Sequence, residues 1–173
     1  YFNSGNQKDE AKDYNGAISD YTKAIELNPD AAVAYSNRGS SKSNLKDYNG
    51  AISDYTKAIE LNPNYANAYY NRGNSKDDLK DYKGAISDYT KAIELNPNFA
   101  NAYYNRGVSK DDLKDYNGAI SDYTKVIELN PNFANAYYNR GNSKYDLKDY
   151  NGAISDYTKA IELNPNAADS YES

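Results

Sequence analysis

The sequence predicts an all-α solenoid of stacked antiparallel helix pairs, on three observations. Asn-Pro recurs at Asn28-Pro29, Asn62-Pro63, Asn96-Pro97, Asn130-Pro131 and Asn164-Pro165, always 34 residues apart. Within each period, two stretches place apolar or small residues at helical spacing. The apolar supply is thin: 39% of the 173 residues are hydrophobic, against about 45–50% in ordinary globular domains. Helical hairpins of this kind gain a core only by stacking on their neighbours.

Residues 66–99 serve as the reference copy. Its first half, roughly Asn67 to Leu79, is predicted helical, with Tyr69, Gly73 and Lys76 on one face beside Arg72. Gly73 has no side chain, which lets a partner helix approach closely. In the second half, Ala85, Ile86, Tyr89, Ala92, Ile93 and Leu95 form an apolar stripe. Asp81 is its expected N-cap, and Pro97 ends it by excluding the helical conformation from Asn96. Residues 32–65, 100–133 and 134–167 repeat the pattern in full, and residues 1–31 repeat it without the opening three positions. After Ala167 the pattern restarts at Ala168 and Tyr171, so residues 168–173 read as the start of a further copy or a capping helix. Both termini fall inside a copy, as expected for a piece of a longer array.

Composition excludes several classes of function. There is no His and no Cys, which removes the commonest general base, the strongest nucleophile, thiolate metal sites and disulfides. The ten Gly residues fall two per copy, at Gly73 and Gly84 in the reference, so they serve repeat geometry and form no phosphate loop. No carboxylate pair is unique to one copy, whereas a catalytic site normally breaks repeat symmetry. No enzyme activity, cofactor or metal is expected. The net charge of −5 argues against nucleic acid as a partner. No apolar run approaches the roughly 18 residues of a membrane span, and no feature fixes a compartment.

At this point the residues resemble a known family. Tyr69, Arg72, Gly73, Lys76, Ala85, Tyr89 and Pro97 stand in the slots of the tetratricopeptide pattern Trp-x2-Leu-Gly-x2-Tyr, Ala-x3-Phe, Pro. Gly, Ala and Pro agree in every copy. The resemblance implies a right-handed superhelix, with the first helices lining a concave groove and the second helices outside, and a protein or peptide as partner. Two slots depart from the pattern. Arg38, Arg72, Arg106 and Arg140 replace Leu, with Ser4 in the first copy. Lys8, Lys42, Lys76, Lys110 and Lys144 replace Tyr. The equally periodic Asp54, Asp88, Asp122 and Asp156 are the expected partners of the Arg heads, in a structural ladder at the helix seams.

The candidate binding residues lie on the first helices, away from the core. Asn67, Asn71, Asn74 and Asp78 are spaced i, i+4, i+7, i+11, with Asn142 and Asp112 at matching positions in later copies. Asn37, Asn71, Asn105 and Asn139 give one amide per copy, preceded by Asn3. Tyr70, Tyr104 and Tyr138 form a parallel aromatic row, with Phe2 and Ser36 before them. An amide both donates to a peptide C=O and accepts from a peptide N–H, so such a row suits an extended main chain. It resembles the Asn ladder in the superhelix of the O-linked N-acetylglucosamine transferases. Recent duplication of a polar, solvated face accounts for the same row, and packing between helices accounts for the Tyr row. The Asp77-Asp78 and Asp111-Asp112 pairs read as a soluble helix face. Tyr65, Phe99 and Phe133 follow Pro in the turns and read as junction packing. The clamp by which tetratricopeptide co-chaperones hold a C-terminal carboxylate is incomplete, because Tyr70, Asn101 and Asn105 fill the slots that need cations. Two functions follow as expectations: a scaffold holding a neutral or basic polypeptide in an Asn- and Tyr-lined groove, or a structural array that associates end to end with itself.

Overall fold

The computed structural model describes residues 1–165, and these contain ten α-helices and no strand. The chain divides into two compact units, Tyr1–Asn96 and Pro97–Ser173. The first holds α1 (Phe2–Glu10), α2 (Tyr14–Leu27), α3 (Ala32–Asn44), α4 (Tyr48–Leu61), α5 (Ala66–Asp78) and α6 (Tyr82–Leu95). The second holds α7 (Ala100–Asp112), α8 (Tyr116–Leu129), α9 (Ala134–Asp146) and α10 (Tyr150–Leu163). The expected restart at residues 168–173 lies outside the described residues.

Each odd-numbered helix ends in a turn that the sequence does not advertise. Lys12, Lys46, Lys80, Lys114 and Lys148 adopt φ of 62 to 66°, the left-handed conformation usually reserved for Gly. In the reference copy Lys80 N–H donates to Asp77 C=O at 2.7 Å and Asp81 N–H to Lys76 C=O at 2.9 Å. These two bonds satisfy carbonyls left open at the helix end. Relieving the Cβ strain by Lys80→Gly is expected to stabilise the chain by about 1 kcal/mol, read as a raised urea midpoint.

The next residue starts the second helix. Asp13, Asp47, Asp81, Asp115 and Asp149 each accept from the backbone N–H of the Gly three residues on, at 3.0 Å. A Cβ on Gly84 would stand 2.1 Å from Asp81 Oδ2, so Asp and Gly work as a pair. At the other end Asn62 is extended at φ −138°, ψ 90°, as Pro63 requires. Its side chain accepts from Asn64 N–H at 3.1 Å, which closes the turn into the next copy.

The core is built from Ala and Tyr. Ala85, Tyr89, Ala92 and Ile93 are buried, with Ile86 and Leu95 half-buried. A Cβ on Gly73 would lie 2.7 Å from the Tyr89 ring, so this Gly is what allows the two helices of a copy to meet. Tyr replaces Phe in the core at the cost of a buried hydroxyl that must find an acceptor. Tyr21 and Tyr89 donate to Asn6 and Asn74, both at 2.9 Å, and Tyr157 donates to Asn142 at 2.8 Å. In residues 100–133 Val108 holds the Asn slot, and Tyr123 donates to Asp111 Oδ2 at 2.8 Å instead.

The expected Arg–Asp ladder is present and larger than expected. Arg72 Nε and Nη2 donate to the two oxygens of Asp88 at 2.9 and 2.7 Å, and Nη1 donates to Thr56 of the preceding copy at 3.1 Å. Lys76 Nζ adds a third contact to Asp88, at 2.7 Å. The same clasp joins Arg38 and Lys42 to Asp54, Arg106 and Lys110 to Asp122, and Arg140 and Lys144 to Asp156. In the first copy Ser4 Oγ and Lys8 Nζ reach Asp20, both at 2.7 Å. The guanidinium planes also lie over Tyr35, Tyr69, Tyr103 and Tyr137, at 5.5 to 5.6 Å from the ring centroids.

Burial pushes the Tyr55 phenol up to about 12 from its ordinary 10.0, and it raises Tyr21, Tyr123 and Tyr157 as well. The folded chain therefore keeps protons that the unfolded chain releases. This part of its stability is complete below about pH 10 and is lost as pH rises toward 12. A titration following phenolate absorbance and helical circular dichroism together is expected to show a late class of tyrosines ionising as helix is lost. Titration of every tyrosine near pH 10 with helicity intact would contradict it.

Candidate functional site

In each unit, the first helices of the copies carry the residues singled out in the sequence. Asn37, Asn71, Asn105 and Asn139 are each half-buried, while Asp78 and Asp112 are exposed. The amides are not all equivalent. Asn37 Nδ2 donates to Asn6 Oδ1 of the preceding copy at 3.1 Å, and Asn139 Nδ2 donates to the Tyr104 hydroxyl at 2.9 Å. These bonds fix the orientation of Asn37 and Asn139.

The aromatic row is partly committed to packing. Tyr70, Tyr104 and Tyr138 stand 5.8 to 5.9 Å, centroid to centroid, from Tyr89, Tyr123 and Tyr157 of their own copies. All three stay half-exposed. Phe133 meets Tyr104 edge-on at 5.1 Å, in the junction role expected of it. Asn74 and Asn142, expected to face a ligand, accept the hydroxyls of Tyr89 and Tyr157.

Asp111 corrects the reading of the Asp pairs as a soluble helix face. It accepts from Tyr123 and from Ser143 Oγ of the following copy, both at 2.8 Å. Burial raises its pKa against these two hydrogen bonds. Asp9 accepts from Ser41 Oγ in the same way. The reason is angular: residue 111 sits one position before exposed Asp112, which rotates it toward the next helix pair. The sequence signal that marks this role is the Ser at positions 41, 75, 109 and 143, 32 residues after each such position.

Between α1 and α3 the face holds a pocket of about 280 Å³ lined by Asn6, Asp9, Glu10, Tyr21, Asn37 and Ser40. Its lining offers amides, hydroxyls and two carboxylates and no cation. Among the described residues no group of three or more His, Cys, Asp or Glu could hold a metal ion, and no helix is long and apolar enough to cross a membrane.

Residues 32–65, 66–99, 100–133 and 134–167 match the profile described as Tetratricopeptide repeat, and residues 5–42 match a second profile described as TPR repeat. The chain belongs to the tetratricopeptide repeat family. No curated protein sequence matches it. Among solved structures, MamA is 28% identical with a TM-score of 0.91, over 98% of this chain and 99% of that one. YrrB, whose structure is described as a TPR protein with an unusual peptide-binding site, is 27% identical with a TM-score of 0.84, over 96% of this chain and 86% of that one. A MamA fragment from Desulfovibrio magneticus RS-1 shares the fold at 23% identity and a TM-score of 0.88, over 99% of this chain and 94% of that one. As a tetratricopeptide repeat protein the chain is a protein-interaction scaffold.

Proposed function

We propose that the chain holds an extended, neutral or basic polypeptide along the amide face of its first helices. The observation that supports this most is the recurrence of a half-exposed Asn at one helical position, at Asn37 and Asn71 in the first unit and Asn105 and Asn139 in the second. Packed helices lie about 8–10 Å apart, and an extended peptide rises about 3.3 Å per residue. Within each unit, one amide then meets the ligand main chain at about every third residue. The exposed Asp78 and Asp112 and the acid-lined pocket beside Asn37 favour basic side chains, and salt weakens that preference. The peptide-binding site named for YrrB supports the same use of the fold.

Binding to an arrayed library of neutral and basic peptides tests the proposal, with the wild type beside a variant carrying Asn71→Ala, Asn105→Ala and Asn139→Ala. Three lost hydrogen bonds at about 1 kcal/mol each are expected to weaken binding at least tenfold. Equal binding by both proteins removes the amide row from the function.

One observation favours end-to-end self-association as a second reading. On α10, Ile154 is 62% and Ile161 45% exposed, and a pocket of about 230 Å³ opens among Tyr138, Asn142, Tyr157, Ala160 and Ile161. Light scattering that finds a strict monomer at high concentration excludes this reading.

A further inference from the structure

Three polar links cross the seam between the first two copies. Asn37 donates to Asn6, Ser41 to Asp9, and Arg38 Nη1 to Thr22. The seam between α7–α8 and α9–α10 has the same three, from Asn139 to Tyr104, Ser143 to Asp111 and Arg140 to Thr124. Of these three links, the seam between α3–α4 and α5–α6 keeps only the Arg72–Thr56 bond among the described residues. There Ser75 Oγ is buried without a hydrogen-bond partner, and Asn71 makes no side-chain hydrogen bond to the described residues.

The cause is written on α3. Ser36, Ser40 and Ser43 occupy the positions, spaced i, i+4, i+7, where α1 has Phe2, Asn6 and Asp9 and α7 has Tyr104, Val108 and Asp111. Ser43 is the residue whose counterparts, Asp9 and Asp111, accept from the next copy's Ser. Its side chain is too short to take that place, so Ser75 is left unsatisfied.

We infer that this seam is the hinge of the amino-terminal unit, the plane at which α1–α4 and α5–α6 part first. In a repeat array stability is close to a sum of repeat and interface contributions, and the weakest interface opens before the rest. The hinge lies between the rungs Asn37 and Asn71, so opening changes their spacing. The inference does not depend on any ligand.

The chain has no Cys, so native-state thiol labelling reports opening cleanly. Ala34, Ala68 and Ala136 are equivalent and 0–1% exposed. In single variants of the full chain, the thiol of Ala68→Cys is expected to label roughly ten times faster than those of Ala34→Cys and Ala136→Cys, from the loss of two hydrogen bonds. Adding Ser43→Asp restores the acceptor and slows the Ala68→Cys reaction about fivefold. Asp9→Ser is expected to speed Ala34→Cys by a similar factor. Circular dichroism checks that each variant folds, and native-state hydrogen exchange of the α5 amides, with and without Ser43→Asp, replaces labelling if Ala68→Cys does not. Equal labelling at the three sites overturns the hinge. Fast labelling at residue 68 that Ser43→Asp leaves unchanged overturns its assignment to the serines.

Discussion

Tyr89→Ala is expected to destabilise the chain by about 3–5 kcal/mol, whereas Tyr89→Phe costs only about 1 kcal/mol. Tyr89 is 1% exposed, and its ring fills the space that Gly73 leaves open. The Tyr70 ring stands 5.9 Å away. Truncation to Ala removes the ring and leaves a cavity that the flanking Ala85 and Ala92 are too small to fill. Phe keeps the ring and gives up only the hydroxyl that donates to Asn74. Urea denaturation followed by circular dichroism measures both. Similar losses for the two substitutions would mean that the hydrogen bond, and not the packing, holds the pair together.

Asp88→Ala is expected to cost about 3–5 kcal/mol as well, by a different route. Asp88 is 3% exposed and receives both Arg72 and Lys76. Without its carboxylate, two cations face each other in a half-buried site. The contrast is the Lys91–Glu94 pair, at 3.0 Å but with side chains 46% and 58% exposed. Glu94→Ala is expected to change stability by no more than about 0.5 kcal/mol. Distance is similar in the two cases, so burial decides. Equal effects from both variants, in the same denaturation experiment, would show that the clasp contributes no more than a surface ion pair.

Much of the fold was legible because it depends on backbone chemistry at fixed offsets. Asp81 as cap, Pro97 as stop and Gly73 as the point of close approach follow from one residue and its position. The Arg72–Asp88 pairing was legible because both residues recur in step and neither is easily left alone in a buried seam. Lys80 was not, since nothing in a Lys side chain announces a left-handed backbone; the turn is imposed by the Asp cap that follows it. Lys76 as a second hold on Asp88 was missed because it is set by side-chain reach between helices.

The candidate site was legible as a face and less so as a set of roles. Spacing put Asn71, Asn74 and Asp78 on one side of α5. It did not reveal that Asn74 answers a buried Tyr hydroxyl. The copy with Val108 carries the clue, because there Tyr123 must turn to Asp111. Likewise Ser36, Ser40 and Ser43 look like ordinary polar substitutions until the bonds across the other seams are known.

The central claim is that, within the amino-terminal unit, copies dock through equivalent positions, so that one copy can take the place of another. Deleting residues 32–65, one whole copy, tests it most directly. Residues 1–31 would then meet residues 66–99, with Asp9 opposite Ser75, Asn6 opposite Asn71 and Thr22 opposite Arg72. The shortened chain is expected to keep its helicity per residue by circular dichroism and to unfold cooperatively at a lower temperature. Loss of helix well beyond the deleted share would contradict the claim.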